Sequence, residues 1–523
     1  MNFKLNLVLN AHLPFVRHPE ANMFFEETWL FEAIDETYLP LLRVFHRLEE
    51  KNIPFKLTMS LSPTLVSMLA DKLLQERYRR YLDNKIELGR KEIQRTKGTV
   101  EQQLAQMYLD QFEQNKHDFN EIYVGNILKG FQYFQKSGHL DLITSLASYP
   151  FAPLYQAYPK NIRGQLQLAI ETHYQYFGCE PAGIWLAENG FYPGLDAIIA
   201  KTRIKFVFLA VHGVLLGEPR PNHGVLQPIR TPAGLVGFAR HLASSNDVWD
   251  KDYGYPSDPV YREFYRDIGY DLPLDYIKPY LYSGDNPSST GYKYYRITGK
   301  TNQKEYYNPE AALLKVKEHA SNFLYNRRQT VERLQKAGHK FEPIFNIPLD
   351  AELFGHWWFE GVNWLEELFT QAQDMPQVEF VRPVDLALDA SYQTVSPIFS
   401  SWGTGGFAEV WLDGANDWIY RHTYRVIDRF FELVRRFPDE TGRRERALNQ
   451  AAREMVLAQA SDWPLMLKMG VTIDYAQRRI KEHISNFNQI YDSLSGNKLD
   501  TEWLTTLEKK NNIFPRLDYR IFS

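Results

Sequence analysis

The sequence predicts an α/β protein: a distorted α/β barrel interrupted by inserts and closed by a C-terminal helical domain. Three observations carry this expectation. The chain opens β–α–β, strand–loop–helix–strand order resumes near residue 140, and the stretch after about 395 reads as helix. Element by element, "FKLNLVLN" (3 to 10) alternates as a strand should and runs straight into His12. "ETWLFEAIDETYLPLLRVFHRLEEKN" (27 to 52) repeats apolar residues at helical spacing, and "FKLTMSLSP" (55 to 63) reads as the next strand. Strands joined by a helical crossover run parallel. Residues 66 to 134 are charged and poor in Gly and Pro, which predicts a helical insertion. "LDLITSLASYPFAPL" (140 to 154) and "AGIWLAENGFYPGLDAIIAKTRIKFVFLAVHG" (182 to 213) resume the α/β order.

From 214 to 308 Gly, Pro, Asn and Tyr dominate and few segments are periodic. So long an irregular region is more often a functional excursion than filler. "NPEAALLKVKEHASNFLYNRRQTVERLQKAG" (308 to 338) is a long helix, with Pro309 near its start and Gly338 just past its end. The strand that carries Asp350 follows. The barrel unit is thus expected over 1–395, with insertions at about 66–134 and 214–308. The helical domain is expected over 396–523, notably through "RERALNQAAREMVLAQASDWPLMLKMG" (444 to 470).

A chain of 523 residues with 44% hydrophobic content can bury a large core in two or three parts. Its net charge of −4 and pI near 6.4 advertise neither nucleic-acid nor membrane binding. One cysteine, Cys179, excludes an internal disulfide framework, suits a reducing cytosol and reads as a buried thiol. No window approaches 18 uninterrupted apolar residues, and the N-terminus has no leader pattern, so a cytoplasmic protein is expected. The unusual quantity is aromatic: 33 Phe, 32 Tyr and 11 Trp. Flat rings fill cores, and they also stack on the apolar faces of sugars.

His12, Glu188 and Asp350 each fall at the C-terminal end of an inferred strand, where barrels place their chemistry. Glu188 follows "GIWL" and Asp350 follows "FNIPL". Each alone is either a hydrated loop residue or a site group. Together, two carboxylates at one mouth are what glycosidic cleavage needs: one protonates the leaving oxygen and the other attacks the anomeric carbon. The apolar run "FGHWWF" beside Asp350 is expected to raise its pKa by desolvation. His12, His212 and His356 lack any metal-ligand spacing, so no metal is expected. "WGTGGF" lacks the Lys of a phosphate loop, and no serine elbow is present.

The stretches "LNAHLPFV" (9 to 16), "GIWLAENGFYPGLD" (183 to 196), "LDAELFGHWWFEG" (349 to 361) and "AREMVLAQASDWPLML" (452 to 467) resemble the ordered motifs of glycoside hydrolase family 57. The resemblance is strongest to the branch of 1,4-α-glucan (glycogen) branching enzymes, which "DVWDKDYGYPSDPVYREFYRDIGYD" (247 to 271) also matches. It runs through essentially the whole chain. It implies a distorted (β/α)7 barrel with a helical C-terminal domain, no metal or organic cofactor, and a retaining mechanism on α-1,4-glucan. By the same resemblance Glu188 is the nucleophile, Asp350 the general acid/base, and His12 a sugar contact in the cleavage subsite. His356 and Trp358 line the wall near Asp350, and Trp249, Trp402 and Trp411 are aromatic platforms for the glucan. Asp462 and Trp463 close the cleft, or else "SDWP" docks the helical domain on the barrel.

Two departures stand out. The family commonly has a histidine in its second motif, where Tyr149 of "LASYPFAPL" stands here. Branching members carry a mobile loop with a tyrosine at its tip, whereas no tyrosine occurs from His212 to Asp252. Phe238 or His223 is left to substitute. A hydrolytic or disproportionating relative, or a glucan binder without turnover, is the alternative. The sequence leaves the oligomeric state open and is compatible with a monomer.

Overall fold

The computed structural model describes all 523 residues. Nine strands form two sheets. β1 (Phe3–Ala11), β2 (Leu57–Leu61), β3 (Leu140–Ile143), β8 (Ile344–Asp350) and β9 (Val378–Phe380) make the first, all parallel. β1 lies at its centre, paired with β8 from Lys4 to Asn10 on one edge. β2 and β9 share the other edge, β9 at Phe3–Leu5 and β2 at Val8–Ala11. β1 is buried along almost its whole length, as expected of a parallel strand covered on both faces. β4 (Gly183–Ile184), β5 (Phe206–Leu209), β6 (Ile229–Arg230) and β7 (Val236–Ala239) make the second sheet, with only the β6–β7 pair antiparallel.

The sheets meet at two places. Thr144, just past β3, bridges in parallel to Ile184 of β4. His241, just past β7, donates its N–H to the Asn346 carbonyl of β8 at 2.8 Å, while Asn346 Nδ2 donates to the Ala239 carbonyl at 3.2 Å. Parallel pairing in this register brings the C-terminal strand ends to one side of the molecule.

The helical insertion is a hairpin of Lys72–Arg95 and Val100–His117. Asp71 caps the first helix by accepting from the Leu74 N–H. Much of the tyrosine content is used here. Tyr292 donates to the Lys85 carbonyl at 2.7 Å and Tyr294 to Glu92 at 2.9 Å, so the 255–307 segment seals onto the hairpin. Gly89 permits it, since a Cβ there would lie 2.2 Å from Tyr292 Oη.

Three expectations are corrected. The 214–308 stretch is not wholly irregular: it holds β6, β7 and the helix Leu242–Trp249. Both strands are too short for visible periodicity: β7 is held by pairing with β5, and β6 by pairing with β7. The helical run over 444–470 is formed by two helices, Gly442–Leu457 and Asp462–Met469, between which Ala460 leaves the helical path to bridge Pro150. The all-helical part begins at Trp418 rather than at 396, with turns before it. Cys179 is exposed, in the surface turn after the left-handed Gly178 that ends the helix Pro159–Phe177. No helix is long and apolar enough to cross a membrane.

Candidate active site

The strand ends open into a cavity of about 750 Å³ that borders Asn10, His12, Tyr149, Glu188, Asp350, Glu352 and Asp462. In the β1–β8 register Asp350 sits opposite Asn10, whose Nδ2 lies 3.5 Å from Asp350 Oδ1. The same Nδ2 donates to Tyr149 Oη at 3.0 Å, and Trp185 Nε1 donates to that oxygen at 2.9 Å. A phenol oxygen accepts two hydrogen bonds and donates one. With both acceptor positions filled, the Tyr149 hydroxyl is left as a donor facing Glu188 and Asp350. Burial and the two carboxylates push its pKa far above the ordinary phenol range, so it keeps its proton.

The His12 ring stacks flat on Tyr149, with centroids 3.6 Å apart and planes 11° from parallel. Its Nδ1 lies 2.8 Å from Ser62 Oγ and its Nε2 lies 3.0 Å from Asp462 Oδ2. Asp462 thus reaches the floor from the helical part of the chain. Its neighbour Trp463 is 1% exposed and donates Nε1 to the Leu457 carbonyl. The two readings of "SDWP" are therefore divided between adjacent residues: Asp462 faces the cavity and Trp463 docks the helices.

Glu188 stands just beyond the two-residue β4, in the left-handed region at φ 56°, ψ 25°. Tyr149 is also left-handed, at φ 59°. Such backbone costs about 1–2 kcal/mol outside glycine and clusters where a side chain must be aimed. Each position is held from outside. The Trp402 N–H donates to the Glu188 carbonyl at 2.7 Å, and Phe191 and Ser400 exchange two backbone bonds beside it. The Ser461 N–H donates to the Tyr149 carbonyl at 3.1 Å.

Burial pushes Glu188 up to about 8, and the nearby charges of Asp350 and Asp462 add to the rise. Burial also raises Asp350, opposed by the Asn10 hydrogen bond and by the charges of Arg240 and His12. Glu352 is pushed up to about 8 by burial, while the Tyr38 hydroxyl donates to it at 2.5 Å. Burial and like charge around one cavity thus hold Glu188 and Glu352 protonated near neutral pH and raise Asp350 above the ordinary carboxylate range. The enclosure of the whole floor supplies the desolvation that the sequence assigned to "FGHWWF" alone.

The tryptophans are the main correction. Trp249 borders the cavity and is 46% exposed. His356 borders it too, with Nδ1 2.6 Å from Glu36. Trp358 does not: it is 1% exposed and packs against Tyr261 and Trp364. Its neighbour Trp357 takes the rim position, stacked on Phe264 at 4.4 Å. Trp411 is buried face to face with Phe151 at 4.9 Å, too enclosed to grip a sugar. Trp402 lies behind the floor, edge-on to Trp185, and acts on the site through its bond to Glu188. Neither loop substitute reaches the cavity. Phe238 is a core residue of β7, and His223 packs on Phe341 at 4.1 Å. His212 also lies apart, with Nε2 on the Gly406 carbonyl at 2.7 Å. Sequence reasoning missed Asn10, Glu352 and the rim rings Trp29, Tyr265 and Tyr270. Asn10 was within reach, because it precedes His12 by two and strand alternation puts both on one face.

Over its full length the chain is similar to the α-amylase AmyC of Thermotoga maritima, with 40% identity and a TM-score of 0.93 over 99% of that structure. It is also similar over its full length to a family 57 branching enzyme of Pyrococcus horikoshii, with 28% identity and a TM-score of 0.89 over 96% of that structure. A 1,4-alpha-glucan branching enzyme of Thermococcus kodakarensis is 29% identical over 98% of this chain and 77% of its own length. Residues 422–522 match the family model described as the C-terminal region of 1,4-alpha-glucan branching enzyme. Residues 6–396 match the model of glycosyl hydrolase family 57, and the chain belongs to that family.

Proposed function

We propose that the protein is a retaining transferase that cleaves α-1,4 links of a glucan and forms α-1,6 branches. The observation that carries this reading is the placement of Glu188 and Asp350 around one cavity at strand ends, both carboxyls raised by burial. The branching-enzyme relatives and the match over 422–522 support the choice of acceptor. Glu188 attacks C1 as Asp350 protonates the departing glucan oxygen, giving a glycosyl ester on Glu188. Asp350 then takes the proton of an acceptor 6-hydroxyl as that oxygen displaces Glu188 from C1. Tyr149 donates to a carboxylate or sugar oxygen, and His12, held by Asp462, packs the sugar at the point of cleavage.

The parallel strands β1, β2, β3, β4, β5, β7 and β8 are read as the distorted (β/α)7 barrel. The Thr144–Ile184 bridge and the bond from His241 to Asn346 support that closure. Residues 1–395 then form the catalytic unit, and 396–523 close it through Ser461 and Asp462. A cytoplasmic role in glycogen metabolism fits the single cysteine and the relatives.

Incubation with linear amylose tests the reading. Reducing ends are counted before and after digestion by an α-1,6-specific debranching enzyme. Branching predicts many more ends after debranching than the reaction itself released. The 40% identical amylase and the lack of a tyrosine from His212 to Asp252 favour a second reading, transfer to water. In that case ends appear directly and debranching adds none.

A further inference from the structure

Beyond the carboxylate floor, the cavity has a wall whose charged groups the reaction above does not use. Two lysines of the chain are buried, Lys85 at 5% exposure and Lys293 at 2%. Lys85 donates to the Thr290 carbonyl, whereas the Lys293 ammonium has no hydrogen bond or ion pair on the protein. Lys293 borders the cavity, and its Nζ lies over the Phe264 ring, 4.1 Å from the centroid. An ammonium taken out of water without a partner is costly, so a free donor beside a cavity points to a ligand that supplies the acceptor.

The chain holds this side chain in place from outside. Tyr292 and Tyr294 on either side of it turn into the helical hairpin, and the Tyr108 hydroxyl donates to the Lys293 carbonyl at 2.7 Å. The side chain between the two tyrosines is the one left to border the cavity. The turn before it is pinned by Asp267, which is 1% exposed. Asp267 accepts from the Gly269, Thr290 and Gly291 N–H groups and from the Ser289 and Thr290 hydroxyls, at 2.7 to 3.0 Å.

Phe264 also carries Trp357, stacked at 4.4 Å, so the cation and the exposed rim ring share one support. Glu32 borders the same cavity from just before the buried π-helical turn Ala33–Tyr38. It too makes no hydrogen bond, and no ion pair joins it to Lys293. A donor and an acceptor beside an exposed ring are the elements of a sugar subsite, the ring for the apolar face and the polar groups for the hydroxyls. Glu32 and Asp267 would repel an anion held at Lys293, so the wall suits a neutral polyol.

We propose that Lys293 is a substrate-binding residue whose ammonium donates to hydroxyl oxygens of a glucose unit resting on Trp357, in a subsite apart from the Glu188–Asp350 floor. Glu32 accepts from the same unit. The inference rests on the α-glucan reading above. No hydrogen bond or ring contact joins Lys293, Phe264 or Trp357 to either floor carboxylate, so the subsite adds grip rather than chemistry.

The test is the affinity for linear amylose by affinity electrophoresis, together with kcat and KM, for Lys293→Met and Lys293→Gln. Met keeps an unbranched stem over Phe264, and Gln serves if the Met variant fails to fold. Loss of the ammonium is expected to raise Kd and KM roughly tenfold, the worth of a hydrogen bond from a charged donor, with kcat little changed. Each variant is measured at a temperature where thermal melting shows it folded, so the affinity decides whatever the melting point. Unchanged Kd and KM overturn the inference. A fall in kcat at unchanged KM also overturns it and leaves a role in holding the floor. If the unsubstituted protein binds no amylose, the glucan reading fails and this inference with it; if it binds and the Lys293 variants bind equally, the Lys293 inference alone fails.

Discussion

The floor and the rim of the cavity are built differently. Floor groups (Asn10, His12, Glu188, Asp350) leave the ends of parallel strands, and each is tied by hydrogen bonds to a neighbouring element. Rim groups such as Trp357 and Tyr265 stand on loops, exposed by 49% and 77%. The floor has one geometry because moving any member breaks buried polar contacts that water cannot replace. The rim holds to the fold through ring packing, so it can adapt to a long, flexible glucan. The contrast separates chemistry from grip, and variants in each region are expected to fail in different ways.

The largest effect is expected at the floor. Glu188→Ala and Asp350→Asn should each lower kcat on amylose by about 10⁴-fold or more while glucan binding by affinity electrophoresis persists, since the rim is untouched. Wild-type turnover in either would remove the site assignment. Next is Trp358→Ala, which empties a packed core position. A stability loss of about 3–5 kcal/mol is expected in denaturant titration. A sugar-binding role for Trp358 would instead give normal stability and a raised KM.

The pH dependence of stability sharpens the contrast. Unfolded, Glu188 ionises near its ordinary 4.5, but folded it keeps its proton up to about 8. Its contribution to stability is therefore complete below pH 4.5 and is lost as pH rises toward 8, at about 1.4 kcal/mol per pH unit for a full proton difference. Glu188→Gln has no such dependence. It should melt above the wild type at pH 8 and converge with it near pH 4.5. A constant difference across that range would place the cost elsewhere.

Tyr149→Phe keeps the stack on His12 but leaves the Asn10 and Trp185 donors without their acceptor. About 1–3 kcal/mol of stability should be lost, together with about tenfold in kcat. The smallest effect is expected at the rim. Trp357→Ala should cost about 1 kcal/mol of glucan affinity, seen as a roughly fivefold rise in KM with kcat and melting unchanged.

The sequence motifs singled out Glu188, Asp350 and His12, because a strand followed at once by a polar residue is a local pattern. The cavity brings all three together. Tryptophans were far less legible. Trp357 and Trp358 are adjacent and chemically identical, yet one is 49% exposed at the rim and the other is core. Their fates diverge because the chain turns at Gly355, at φ +99°, where a Cβ would lie 1.9 Å from the Glu36 carbonyl. No spacing rule reveals which ring that turn sends inward. The short strands β6 and β7 were hidden for a related reason, since four residues or fewer show no measurable periodicity.

The sequence by itself determined the α/β class, the strand ends that carry the carboxylates and the family to which the chain belongs. These follow from local patterns of apolar and polar residues read in order. Only the tertiary structure decided which tryptophans reach the cavity and that Asp462 closes on His12 from about 450 residues away. Those relations are distances between segments remote in the chain, fixed by how sheets and helices pack.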